Sequence, residues 1–170
     1  MPDGSRLVLV VGASGVGKDS VLDGARAVFR ADPRLVFVQR VITRPAGSGG
    51  ENHIAATPGE FEALRRSQAF SIHWPANGLA YGLPRRMDDD LAHGRVVIAN
   101  VSRQVLDDAR RRYPGLTVCE VITSTDTLRA RLTARGRESP SEIEARLARV
   151  GAPTVGRDVV TIANEGDLAD

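Results

Sequence analysis

Apolar residues along this chain fall into two rhythms. Leu7–Val11 is a short unbroken apolar run that ends in the glycine-rich loop Gly12–Gly17, the pattern of a strand buried on both faces. Leu35–Ile42, Arg95–Ala99, Leu116–Ile122 and Val159–Ile162 read the same way, as strands of similar length. Between them, mixed polar and apolar stretches predict helices over residues 18–30, 84–93, 102–112 and 125–135. Two more helices announce their starts. Thr57-Pro58 with Glu60, and Ser139-Pro140 with Glu142, each combine an N-cap, a proline at the first helical position and a capping-box acid. These helices are expected to run to about Ser67 and Val150.

Strands that alternate with helices imply an α/β fold, a parallel sheet flanked by helices on both faces. Residues 44–82 break the rhythm. A polar, glycine-rich stretch at 44–57 precedes the second capped helix, and short extended pieces at Phe70–Trp74 and Leu79–Tyr81 flank an Asn77-Gly78 turn. This segment is expected to form a small insert in a single domain whose core is residues 1–43 and 83–170.

Composition narrows the class. The 170 residues are 42% hydrophobic and 26% charged, as in a soluble globular protein, and no apolar run is long enough to span a membrane. The first apolar run ends in glycines rather than a cleavage site, so it is not read as a signal peptide, and a cytoplasmic location is expected. The single cysteine, Cys119, excludes a disulfide framework and a cysteine-based zinc site, and its apolar surroundings suggest an inert thiol. Aromatic residues at 4% and a net charge of +2 give no sign of a nucleic-acid surface. Of 23 basic residues, however, 22 are arginine, and the one lysine, Lys18, stands in the glycine-rich loop.

That loop reads Gly12-Ala13-Ser14-Gly15-Val16-Gly17-Lys18, which satisfies G-x-x-x-x-G-K between a strand and a helix and makes the chain a P-loop NTPase in fold class. Glycines let backbone N–H groups converge on phosphate oxygens, the following helix turns its positive end to the same point, and Lys18 reaches the outer phosphates. A hydroxyl normally follows the lysine and binds Mg²⁺, but Asp19 stands there, with Ser20 next. A carboxylate is also a hard oxygen ligand, so Asp19 and Ser20 are candidates for the metal; the other reading is that Asp19 simply caps the helix.

Arg131, Arg135, Arg137, Arg146 and Arg149 gather around one polar turn and its flanking helices. They form either a solvated arginine face or a lid at about 131–149 that screens a transferring phosphoryl group from water.

Thr43-Arg44-Pro45, Glu51, Tyr81-Gly82, Arg135-Gly136 and Arg146-Leu147 together resemble the guanylate kinase family over nearly the whole chain. That resemblance implies an acceptor-binding insert, an arginine-bearing lid, and Asn164 beside the adenine of ATP. The carboxylates with which guanylate kinases read guanine are missing. Ser71-Ile72-His73-Trp74 lies near the first position, and Asn100 holds the second. A site that keeps its phosphate-binding parts and loses its base-reading parts should take a phosphorylated acceptor without a guanine. Arg40–Pro45, Glu51–Ala55, Trp74–Gly82 and Gly17-Lys18-Asp19-Ser20 resemble a narrower family, the ribose 1,5-bisphosphate phosphokinases.

The resemblance implies ATP-dependent phosphorylation of a small phosphorylated sugar, with no nucleic-acid or membrane partner. It also implies roles: Arg40 and Arg44 on acceptor phosphates, Tyr81 donating its hydroxyl, and Arg135 and Arg146 over the transferring group, with Arg131 beside the nucleotide. Glu51, Asn52 and Asn77 are candidates for sugar hydroxyls, and Glu51 equally for orienting Arg44. His53 is assigned to sugar or phosphate, and His73 either to the site or to simple packing. A guanylate kinase with an unusual base site and a non-catalytic interaction module are the competing readings.

Overall fold

Two sheets of different character grow from these segments. The computed structural model of the protein describes residues 6–47, 52–136, 138–148 and 150–166. In chain order the elements are β1 (Arg6–Val11), α1 (Lys18–Val28), β2 (Leu35–Phe37), β3 (Val41–Ile42), β4 (Ile54–Ala55), α2 (Pro58–Arg66), β5 (Phe70–Ala76) and β6 (Leu79–Pro84). They continue with α3 (Arg86–Ala92), β7 (Val96–Asn100), a 3₁₀ turn (Arg103–Val105), α4 (Leu106–Arg112), β8 (Thr117–Ile122), α5 (Thr125–Arg135), α6 (Pro140–Leu147) and β9 (Val159–Ala163).

The main sheet has the order β2-β7-β1-β8-β9 and is parallel throughout. Its central strand explains its unbroken hydrophobicity. Leu7, Leu9 and Val11 are wholly buried and pack on one face with Met87, Leu91, Leu106 and Ala109. Val10 points the other way, toward Val16, Leu22 and Val121. Each such side chain contributes about 1.5–3 kcal/mol by leaving water. From β1 the chain crosses past β7 to the edge strand β2, whereas from β7 it crosses β1 to reach β8. The connections therefore diverge at the C-terminal ends of β1 and β7, where α/β sheets bind ligands.

The second sheet has the order β4-β3-β6-β5, with β6 antiparallel to both β3 and β5. Asn77 and Gly78, at φ 50° and 74°, make the tight turn between β5 and β6. One side of this sheet is closed by α2, where Phe61 stacks on Phe70 at 4.7 Å between ring centroids. The other side lends Ile72, Trp74 and Leu83 to the main core, which joins the two sheets. Asp88 ties the same junction: the Ser71 and Tyr113 hydroxyls and Arg112 Nη2 all donate to its carboxylate, at 2.7–2.9 Å.

Several expected boundaries move. The run 35–42 is two strands, not one: β2 pairs with β7 in the main sheet, and three residues later β3 pairs with β6 in the second. No glycine or proline marks the division, because both halves are equally apolar and only the partner differs. Pro84 closes β6 instead of opening a helix, the helix expected from residue 102 begins as a 3₁₀ turn, and α6 ends at Leu147. Both capping boxes form, with Thr57 and Ser139 each bonded reciprocally to the acid three residues on.

Cys119 lies half-buried on β8, and burial pushes its thiol above the ordinary range. Less thiolate is then present at mild alkaline pH. Alkylation at pH 8 is expected to be about tenfold slower in the folded protein than after unfolding in urea, followed by mass spectrometry.

Candidate functional site

The loop after β1 is shaped by its neighbours as much as by its own glycines. Gly12 has φ 149°, and a Cβ there would lie 2.4 Å from the Val121 carbonyl oxygen of β8. Gly17 has φ 91°, and a Cβ there would meet the Asn164 amide at 2.3 Å. Gly17 is also the N-cap of α1 and offers no side-chain acceptor, so the first N–H groups of the helix are left for an anion. Lys18 folds back over the loop, and its Nζ donates to the carbonyls of Gly12 and Ala13 at 2.9 Å each.

Gly12, Ser14, Gly15, Gly17, Lys18, Asp19 and Ser20 line a cleft of about 320 Å³. Asn100, at the end of β7, donates from Nδ2 to Asp19 Oδ1 at 3.0 Å. Asp19 makes no side-chain cap on α1, so the capping reading does not describe its contacts. Its Oδ2 has no hydrogen-bond donor among the described residues. An oriented carboxylate with a free oxygen, next to the Ser20 hydroxyl and a phosphate cradle, fits a hard divalent cation. Among the described residues no group of three or more His, Cys, Asp or Glu side chains is assembled for a metal, so most ligands of such an ion would be phosphate and water.

The opposite wall comes from the second sheet. Arg40, 9% exposed, lies over the rings of Tyr81 and Trp74 at 5.2 and 5.9 Å, and those rings stack at 5.4 Å. Asn77 reaches the cleft from the β5–β6 turn, and Arg135 from the end of α5. Beside Gly17 a second space is lined by Arg131 and Asn164. Asn164 Nδ2 donates to the Val16 carbonyl at 2.7 Å, and Arg131 Nη1 donates to the Asn164 carbonyl at 2.9 Å. Arg146 Nη1 donates to Ser14 Oγ at 2.6 Å, and its Nη2 pairs with Glu138.

Other sequence candidates stand outside the cleft lining. Arg44 Nη2 donates to His53 Nδ1 at 3.3 Å while His53 Nε2 donates back to the Arg44 carbonyl at 3.0 Å, so a tautomer protonated on Nε2 braces the arginine at both ends. Asn52 accepts from Gln39 at 2.9 Å and is exposed. His73 is exposed and lines a separate apolar recess beside Phe61. Glu51, Arg137 and Arg149 lie outside the described residues. Trp74, Val101 and Ser102 line the cleft without having been singled out for it. The signal for the latter two was available, since they follow the strand beside β1 at its C-terminal end.

No family model matches the chain. It is 48% identical to the ribose 1,5-bisphosphate phosphokinase PhnN of Brucella melitensis, over 95% of this chain and 84% of that protein. It is also 48% identical to the protein of the same name from Azotobacter vinelandii, over 98% and 91%. Among solved structures, guanylate kinase from Anaplasma phagocytophilum superposes with a TM-score of 0.66 at 18% identity, over 96% of this chain and 78% of that one. That likeness concerns the fold.

Asn164→Ala would remove the amide that braces Val16 and Gly17. It is expected to weaken ATP·Mg²⁺ binding about tenfold in a calorimetric titration, with little change in melting temperature.

Proposed function

The chain belongs to the ribose 1,5-bisphosphate phosphokinase family, and we propose that it moves the γ-phosphoryl group of ATP onto the 1-phosphate of ribose 1,5-bisphosphate. The products would be ADP and 5-phospho-α-D-ribose 1-diphosphate, in the service of phosphonate catabolism. One observation carries the choice of acceptor. The side chains at or near the two guanine-reading positions are tied inward, Ser71 to Asp88 and Asn100 to Asp19, while the cleft walls present arginine. Neither position supplies a carboxylate to the edge of a guanine, while Arg40 and Arg135 on the cleft walls suit phosphate.

The acceptor phosphate has its second pKa near 6, so its attacking oxygen is mostly anionic at neutral pH and needs no strong base. A P–O bond forms from that oxygen to the γ-phosphorus as the bond to the β–γ bridging oxygen breaks, and that oxygen leaves on ADP. The protein contributes position and charge. The loop N–H groups and Lys18 hold the β- and γ-phosphates. Asp19 and Ser20 would hold Mg²⁺, which when bound neutralises charge between those phosphates. Arg131 and Asn164 support the nucleotide side. Arg40 and Arg44 are the acceptor-side cations, and the Nε of Arg44 is buried with no hydrogen-bond partner among the described residues. Tyr81 donates to the acceptor. Asn77, Asn52 and Glu51 serve the sugar hydroxyls, and His53 holds Arg44 in place. Arg135 and Arg146 cover the transferring group. The reaction belongs in the cytoplasm, where ATP is made available; no helix among the described residues is long and apolar enough to cross a membrane.

The proposal is tested by offering ATP·Mg²⁺ with ribose 1,5-bisphosphate, GMP and other phosphorylated acceptors, and following product mass. Conversion of ribose 1,5-bisphosphate is expected; faster turnover of GMP would defeat the reading. Lys18→Ala should lower kcat by roughly three orders of magnitude with the circular dichroism spectrum unchanged, and a loss below about tenfold would contradict its role. Arg44→Ala should chiefly raise the acceptor KM, and a change confined to the KM for ATP would reverse the two sides of the site.

A further inference from the structure

Beyond β7 the chain turns and brings Arg103 against β8, where its Nη2 donates to Glu120 Oε1 at 2.7 Å. Glu120 is 1% exposed and sits in register with Val11, the last residue before the phosphate loop. Its carboxylate also accepts from the Thr154 N–H at 2.9 and 3.0 Å and from the Thr154 hydroxyl at 2.9 Å. The neighbouring Val118 and Val121 are wholly buried aliphatics, and a buried ion pair is commonly no more stabilising than apolar packing of the same volume. The arrangement makes sense as a device that fixes a guanidinium. Arg103 keeps 31% of its side chain exposed, and Glu120 is its one hydrogen-bond partner among the described residues, which leaves most of its donors available.

Arg103 also lines a second cavity of about 490 Å³, together with Ala13, Ser14, Asn77, Arg146 and Val150. It meets the main cleft at Ser14 and Asn77 and shares no lining residue with the nucleotide-side space around Arg131 and Asn164. Lys18 and Asp19 line the main cleft and not this chamber. A ligand whose reacting phosphate lies near Lys18 can therefore extend past Ser14 and Asn77, where Arg146 stands at the junction, into a chamber walled by Arg103. We propose that Arg103, positioned by Glu120, binds the non-reacting 5-phosphate of the acceptor. This assignment rests on the function proposed above. It supplies what a sugar phosphorylated at both ends requires, a second cationic site one sugar away from the reaction centre.

The experiment compares the full chain with R103K, E120Q and the R103A/E120Q pair, in which no carboxylate stays buried without its cation. KM for ribose 1,5-bisphosphate, KM for ATP and kcat are read separately, ribose 1-phosphate serves as a competitive inhibitor, and melting temperature controls for folding. The pair is expected to raise the bisphosphate KM about tenfold or more, with kcat and the KM for ATP within about threefold and the ribose 1-phosphate inhibition constant within about twofold. R103K should fall between, because it keeps the charge and loses the fork, and E120Q should show a smaller rise, because the guanidinium is present but unheld. A bisphosphate KM within about threefold of the unmodified chain overturns the assignment, as does an equal loss for ribose 1-phosphate. An unmodified chain that does not consume ribose 1,5-bisphosphate defeats the proposed function and this assignment together. An active chain with an unmoved KM in the variants defeats the assignment alone.

Discussion

A glycine backbone turning at the end of the central strand is the constraint around which the molecule is arranged. At Gly12 the Val121 carbonyl of β8 fills the place a side chain would take, and at Gly17 the Asn164 amide does. Both contacts come from the half of the chain beyond residue 120. The loop is thus held by elements that fold against it from far along the sequence, and its last glycine, Gly17, caps α1 without a side chain.

Arginine is used in two ways. On the surface it pairs with nearby acids, as Arg65 with Glu62, Arg34 with Asp32 and Arg129 with Glu144. Such exposed pairs contribute little to stability. Elsewhere it is held by other means. Arg40 lies against two aromatic rings, Arg44 is braced by a histidine, Arg103 by a buried glutamate and Arg146 by Glu138 and Ser14. Of the four buried side-chain atoms without a hydrogen-bond partner among the described residues, three are the Nε atoms of Arg44, Arg103 and Arg146. Unsatisfied buried donors are costly, and here they are concentrated on arginines whose other nitrogens are held by neighbouring side chains.

Asp19 and Asn100 show how one substitution accounts for another. A carboxylate follows the loop lysine in place of a hydroxyl, and the neighbouring strand ends in an amide in place of an acid. The amide donates to the carboxylate, so one of its oxygens is fixed. Two acids at these positions would repel each other beside phosphate.

The strand-loop-helix at the start of the chain, the capped helices at Thr57 and Ser139 and the α/β alternation were legible in the sequence, because each is written in residues close together and obeys local rules of backbone geometry. So were the glycine-lysine pattern of the loop and the family to which the chain belongs. The division of residues 35–42 between two sheets was not, since either partner satisfies the same apolar run. Nor was the pairing of Glu120 with Arg103, or the bracing of Arg44 by His53, because a charge 17 residues away and a histidine nine residues away carry no periodic signal. Local sequence determined the glycine loop, its lysine and the supply of arginines; only the packing of β8, the turn after β7 and the second sheet around the loop decided which arginines are held still and against what.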